Sequence, residues 1–157
     1  LGVFSQTLFT LVDETKMLKL TKKTDYALMA VNFIASQGDG LASARTISEV
    51  YHIPLPLLAK ILQKLTKKGI ITSYGGPKGG YMLQRPPSQI TISDVIRAIE
   101  GPIHITRCCD GDHTCSQLDL CSVQGPLQKI EVKITAMLDN ITIEKMYSES
   151  LDEVFLV

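Results

Sequence analysis

Pro56-Leu57-Leu58-Ala59-Lys60-Ile61-Leu62-Gln63-Lys64-Leu65-Thr66-Lys67-Lys68-Gly69, continuing as Ile70-Ile71-Thr72-Ser73-Tyr74-Gly75-Gly76-Pro77-Lys78-Gly79-Gly80-Tyr81-Met82-Leu83-Gln84-Arg85, decides the fold. Leu58, Ile61, Leu62 and Leu65 recur at helical spacing, so about Pro56 to Lys68 is predicted as a helix with one apolar face. Lys60, Gln63, Lys64 and Lys67 fall on the other side, and Gly69 supplies the stop. Two β-prone runs, Ile70–Tyr74 and Tyr81–Arg85, then flank a glycine-rich turn and predict a hairpin. A phosphate-cradling nucleotide loop is excluded at Gly75–Gly80, because such a loop must open a helix and here a strand follows.

Working back from this stretch, Ser43 to about His52 forms a short helix through Ile47 and Val50. Ile53-Pro54-Leu55-Pro56 makes a tight connection, since each proline disfavours helix at the residue before it. Before that, Thr21 or Thr24 caps a helix to about Gln37, with Tyr26, Ala27, Ala30, Val31 and Ile34 on one face and Gly38-Asp39-Gly40 ending it. Two short helices joined by a tight turn, the second carrying a basic polar face, make a helix-turn-helix. The hairpin directly after it is a wing with Lys78 at its tip. The fold class is therefore mainly α with a small β-hairpin: a winged helix-turn-helix domain plus a long C-terminal helix.

Working forward, Pro86-Pro87 closes the domain. A short helix from Asp94 to Glu100 is capped by Ser93 and stopped by Gly101-Pro102. A polar cysteine loop covers Thr106 to Ser122. Beyond Pro126 a long helix runs to about Asn140 with Leu127, Ile130, Ile134, Met137 and Leu138 in a stripe, and a short helix follows. Such a stripe outside the first domain needs an apolar partner, and a twin helix in a homodimer suits a protein that reads two-fold symmetric DNA. The resulting division is 1–16 as an N-terminal extension ahead of Met17, 17–87 as the winged helix and 88–105 as a connecting helix. It continues with 106–122 as the cysteine loop, 123–147 as dimerisation and tail helices, and 148–157 as the tail.

The zero net charge of the 157 residues conceals an asymmetry. Met17 to Pro87 carries ten basic residues against three acidic ones, a charge of +7, whereas Ser88 to the end sums to −6. A polyanion partner for the first half follows. Hydrophobic content of 45% and charged content of 20% are those of an ordinary globular protein. No apolar run is long enough to span a membrane. Leu1 to Lys16 lacks the basic start and cleavage site of a secretory signal, so a cytoplasmic location is expected.

All four cysteines lie between residues 108 and 121. An exported disulfide framework would scatter them. Cys109, Cys115 and Cys121 are evenly spaced with five residues in each gap, and three thiolates in one polar loop suit a soft-ligand centre, either iron–sulfur or zinc. Zinc sites favour shorter gaps. Unligated or disulfide-forming thiols are the bland alternative, with Cys108 as the spare. No histidine is singled out as a base for a catalytic cysteine, so no enzyme activity is expected.

Three stretches together resemble the IscR/NsrR family of winged-helix regulators (the Rrf-two family), and within it the regulators of the SUF iron–sulfur assembly system. They are Leu20-Thr21-Lys22-Lys23-Thr24-Asp25-Tyr26-Ala27-Leu28, the wing Gly75–Leu83, and Ile92–Gly101 followed by the three cysteines. The resemblance covers about Met17 to Tyr147. It implies a cytoplasmic homodimer on palindromic promoter DNA, with a 2Fe–2S or 4Fe–4S cluster on Cys109, Cys115 and Cys121 controlling affinity. It also implies a major-groove reader around Pro56 to Gln63, with Leu57 and Lys60 inside it, and a wing at Gly76 to Gly79. A branch that borrows an acidic ligand from the partner's first helix makes Asp25 the candidate fourth ligand. The histidine that another branch uses is replaced by Gln124. Ala59 and Gly75 stand where relatives carry a discriminating glutamate and a wing arginine, so a different operator is expected. By charge and face, Lys22, Lys23, Lys60, Lys64 and Lys78 are expected on phosphates and Gln63 on base edges. A non-DNA-binding cluster carrier or enzyme is the rival, and it leaves the +7 half unexplained.

Overall fold

The computed structural model describes residues 20–105 and 120–148. Helix α1 spans Lys22–Ser36 with Thr21 at its N-cap, burying Thr24, Ala27, Leu28, Ala30, Val31 and Ile34. Tyr26, placed on that face by spacing, is only half-buried. Gly38 ends the helix at a φ of 57°. Helix α2 spans Ala44–Tyr51, and the Ser43 hydroxyl accepts from the Thr46 amide at 3.0 Å. It closes on His52, the one non-glycine residue with positive φ among those described.

Helix α3 spans Leu55–Lys67. It starts one residue earlier than the prolines suggest, because Pro54 serves as the N-cap and Pro56 sits in the first turn, where a missing N–H costs nothing. Its buried ridge is Leu58, Ile61, Leu62 and Leu65, as the spacing requires, and Gly69 turns the chain away at a φ of 71°. Strands β1, Ile71–Tyr74, and β2, Gly80–Leu83, pair antiparallel from Ile71↔Leu83 to Tyr74↔Gly80. Ala42 adds a single bridge on the far side of β2, exchanging backbone hydrogen bonds with Tyr81 at 3.0 and 2.9 Å, which ties the α1–α2 connection to the wing.

After a single 3-10 turn at Pro87–Gln89, helix α4 spans Ile92–Glu100. Its cap is Thr91, not Ser93. The Thr91 hydroxyl accepts from the Asp94 amide at 3.1 Å and the Asp94 carboxylate takes the Thr91 amide at 3.2 Å, a reciprocal box that serves two otherwise unpaired donors. Ser93 is buried inside the helix instead. One core cluster runs from α1 through α3 and both strands to α4 and on to Ile141 and Ile143. The helix read as a connector thus shares the core of the winged helix.

Helix α5, Gln124–Asn140, buries none of its residues. Directly after it the chain returns to the core: Ile92 donates to the Ile141 carbonyl at 2.9 Å and Ile143 to Ile90 at 2.8 Å. A short helix α6, Ile143–Tyr147, follows, capped by Thr142. Helix α5 is thus an excursion between two segments of one core, touching it through the half-buried Leu138. Among the described residues no helix is long and apolar enough to cross a membrane.

Candidate nucleic-acid interface and cysteine loop

The outward face of α3 presents Leu55, Pro56, Lys60, Gln63, Lys64 and Lys67, all exposed, with Leu57 and Ala59 half-buried beside them. Lys22 and Lys23 are exposed in the first turn of α1, and Gly76 and Lys78 are exposed in the wing turn. No carboxylate among the described residues lies within ion-pair distance of Lys22, Lys23, Lys60 or Lys78. Arg85, by contrast, is held by Asp94 at 3.3 Å and by the Gln89 carbonyl at 3.2 Å, so its charge is spent inside the fold. Lys64 differs from the other lysines expected on phosphates: its Nζ donates to the backbone carbonyl of Ile99 at 2.9 Å. Arg45, exposed in the first turn of α2, is a further cation that the sequence reading passed over. Its signal is its place two residues after the Ser43 cap, in the first turn of a helix that crosses the backbone in helix-turn-helix complexes.

The wing turn depends on its last two glycines. A Cβ at Gly79 would stand 2.2 Å from the Tyr74 carbonyl oxygen, and one at Gly80 would stand 2.7 Å from that of Ala42. Both obstacles are backbone and cannot swing aside. Gly79→Ala is expected to open the turn, costing about 1–3 kcal/mol and weakening DNA binding. Gly75→Ala, which would meet nothing within 4 Å, is the neutral control. Thermal melts and DNA titrations of the two variants check this.

Of the candidate cluster ligands, Cys109 and Cys115 lie outside the described residues, as do the extension 1–16 and the tail beyond residue 148. Cys121 is a free, half-buried thiol close before α5. Asp25 is exposed in the first turn of α1. Among the described residues no group of three or more His, Cys, Asp or Glu is placed to hold a metal.

The excursion is anchored by polar contacts. The Glu131 carboxylate on α5 takes the Ile105 amide at 2.8 Å and meets His104 Nδ1 at 3.2 Å, gripping the chain just ahead of the cysteine loop. Arg97 on α4 clamps Asp139 on α5 with two hydrogen bonds, at 3.0 and 3.3 Å. Between these two anchors lies a cleft of about 700 Å³ whose walls include Lys68, Ile103 and Val132.

The Arg97 hydrogen bonds hold the Asp139 carboxyl below its ordinary value of 3.8, with slight burial opposing them. A depressed folded-state value means that this anchor contributes above about pH 3.8 and is lost as pH falls through the folded value. Both side chains are 42% exposed, so the contribution is small and screened by salt. Asp139→Asn is expected to melt slightly below the wild type at neutral pH and together with it in acid. A pH series of thermal melts in low salt checks the convergence.

A helix-turn-helix with a glycine-built wing and an outward basic reading face defines a winged-helix DNA-binding regulator. The sequence profile of the Rrf2 family, described as an iron-dependent transcriptional regulator, matches residues 20–149. The chain belongs to that family. A Haemophilus influenzae protein described as an HTH-type transcriptional regulator is 35% identical over 133 residues, covering 84% of this chain and 88% of its own. An Aquifex aeolicus protein described in the same way is 32% identical, covering 77% and 85%. Among solved structures, the global cysteine regulator CymR of B. subtilis aligns with a TM-score of 0.70 at 26% identity, over 85% of this chain and all of the other. IscR of T. potens aligns at 0.66 and 26%, over 86% and 90%. CymR of Staphylococcus aureus in an oxidized form aligns at 0.62 and 26%, over 84% and 99%.

Proposed function

We propose that this regulator is a cytoplasmic homodimer that binds promoter DNA and responds through an iron–sulfur cluster on Cys109, Cys115 and Cys121, controlling iron–sulfur assembly or related stress genes. The observation that carries the DNA-reading part is the exposed face of α3 together with four lysines, Lys22, Lys23, Lys60 and Lys78, that have no carboxylate partner among the described residues. Lysines so placed lie on phosphates and supply salt-dependent affinity, joined by Arg45 from α2. Pro56, Leu57 and Gln63 enter the major groove, where Gln63 reads base edges and the apolar pair lies against thymine methyls. Gly76 and Lys78 bring the wing to the neighbouring backbone.

The dimer rests on α5. Val123, Leu127, Ile130, Ile134 and Met137 repeat at alternating spacings of four and three, the seam of a paired helix. Val123, Ile130 and Met137 remain 55%, 46% and 39% exposed in one protomer. Pairing two such seams gives the two reading heads that a palindrome demands.

Three soft thiolates fit a cluster by their chemistry, and Asp25 is the oxygen ligand proposed to complete it from the partner. A bound cluster would supply a labile, oxidisable centre that reports iron and sulfide supply. The protein's part is to hold Cys121 at the foot of α5 and to grip the loop's near side through Glu131. Structural likeness to IscR supports this reading. Likeness to CymR, one form of which is described as oxidized, supports a second: the same thiols acting as a reversible disulfide, or holding zinc. A UV–visible spectrum of protein purified without oxygen, with iron, sulfide and zinc assayed on the same sample, separates them. Brown protein with matched iron and sulfide, bleached in Cys115→Ala, is the expected result. Colourless protein carrying zinc or free thiols would establish the second.

A further inference from the structure

The last turn of α4 gathers contacts from two of the elements that carry DNA-facing lysines, α1 and α3. On one side the Lys64 ammonium reaches back from α3 to the Ile99 carbonyl at 2.9 Å. That carbonyl belongs to the last turn of α4, where acceptors lack intrahelical partners and the helix dipole favours a cation. On the other side the Glu100 carboxylate takes hydroxyl hydrogen bonds from Thr21 and Thr24, the latter at 2.7 Å. Those threonines bracket Lys22 and Lys23, and the carboxylate sits at the electropositive start of α1. Thr21 makes no side-chain cap bond to its own helix, its hydroxyl being committed to Glu100. Thr24 is fully buried. Directly after Glu100, Gly101 turns at a φ of 90° and the excursion toward the cysteine loop begins.

We propose that Lys64 and Glu100 are positioning residues that fasten α3 and the first turn of α1 to the last turn of α4, so that the turn opening the excursion sets the angle of the DNA-reading face. This rests on the DNA-binding reading above and changes one part of it: Lys64 holds a carbonyl and leaves the phosphates to Lys22, Lys23, Lys60 and Lys78. A movement at Gly101 is then delivered to α3 and to the first turn of α1 at once, through polar contacts as well as through the shared core.

The test is fluorescence anisotropy of full-length protein on a selected palindromic site and on random duplex, across a potassium chloride series, with melting curves as a folding control. Lys60→Met, the phosphate-contact standard, is expected to lower the salt slope by about one. Lys64→Met is expected to weaken the selected site by about five- to tenfold with the slope and the random-duplex affinity unchanged. Glu100→Ala removes a negative charge, which by charge alone would tighten binding, so weakening of the selected site is the mark of positioning. Thr24→Val, which alters no charge, is expected to weaken it likewise. A Lys64→Met slope that falls as that of Lys60→Met does would return Lys64 to the phosphates and overturn the proposal. Unchanged affinity in both Lys64→Met and Glu100→Ala would reduce the contacts to scaffolding and overturn it too. Wild-type protein without salt-dependent binding would defeat the DNA-reading interpretation itself, an outcome distinct from either.

Discussion

Ile130→Asp combined with Ile134→Asp is expected to leave a folded monomer that no longer holds a palindromic site. Ile130 is 46% exposed and Ile134 half-buried in the protomer, and α5 buries none of its residues, so the core has little to lose. In a paired seam the same two positions sit at the centre, where buried carboxylates without partners are not tolerated. A single head keeps its own contacts and loses the second head's effective concentration, a penalty of about 10²- to 10⁴-fold in affinity for the full site. Light scattering should give the mass of one chain, circular dichroism should retain the head, and titration on a half-site should change little. An undiminished dimer mass would show that another surface joins the protomers.

The second large effect lies on α3. Leu62→Ala empties a fully buried position in the ridge that packs against the other helices of the head. Deleting a leucine there costs about 3 kcal/mol, a sizeable share of the 5–15 kcal/mol typical of a domain, and lowers Tm by about 10–20 °C. Its neighbour Gln63 is exposed. Gln63→Ala is expected to leave Tm within about a degree or two, since surface changes stay within about 0.5 kcal/mol, while altering preference at one base pair. Adjacent residues thus separate stability from recognition, and a melting curve beside a binding titration reads both. Equal Tm values for the two variants would contradict the placement of the ridge.

Periodicity made the head legible. The spacing of Leu58, Ile61, Leu62 and Leu65 settles which face of α3 is inside, and the glycines around Lys78 settle the wing, because only a tight backbone turn requires them. What stayed hidden has no period. Two hydroxyls, Thr91 and Ser93, stand at the start of α4, and only the reach of Asp94 back to the Thr91 amide decides between them. The apolar run Ile92, Val95, Ile96, Ile99 marks a buried face without saying whose core it enters. The return of Ile141 and Ile143 to Ile90 and Ile92 is a bridge of single residues between distant segments. Lys64 looks the same in sequence whether it meets a phosphate or a carbonyl 35 residues away. Glu100 and Thr21 are 79 residues apart, and no local signal joins them.

The proposed role of Cys109, Cys115 and Cys121 is to govern how the heads hold DNA. Its most direct test is the affinity of anaerobically purified protein for a selected palindromic site, measured side by side for wild type and Cys115→Ala at one salt concentration. A difference of about tenfold or more, the scale of coupling between two sites in one protein, is the predicted result, with random-duplex binding equal in both. Equal affinity for the selected site would contradict the account, leaving a winged-helix regulator whose cysteines do not control its hold on DNA.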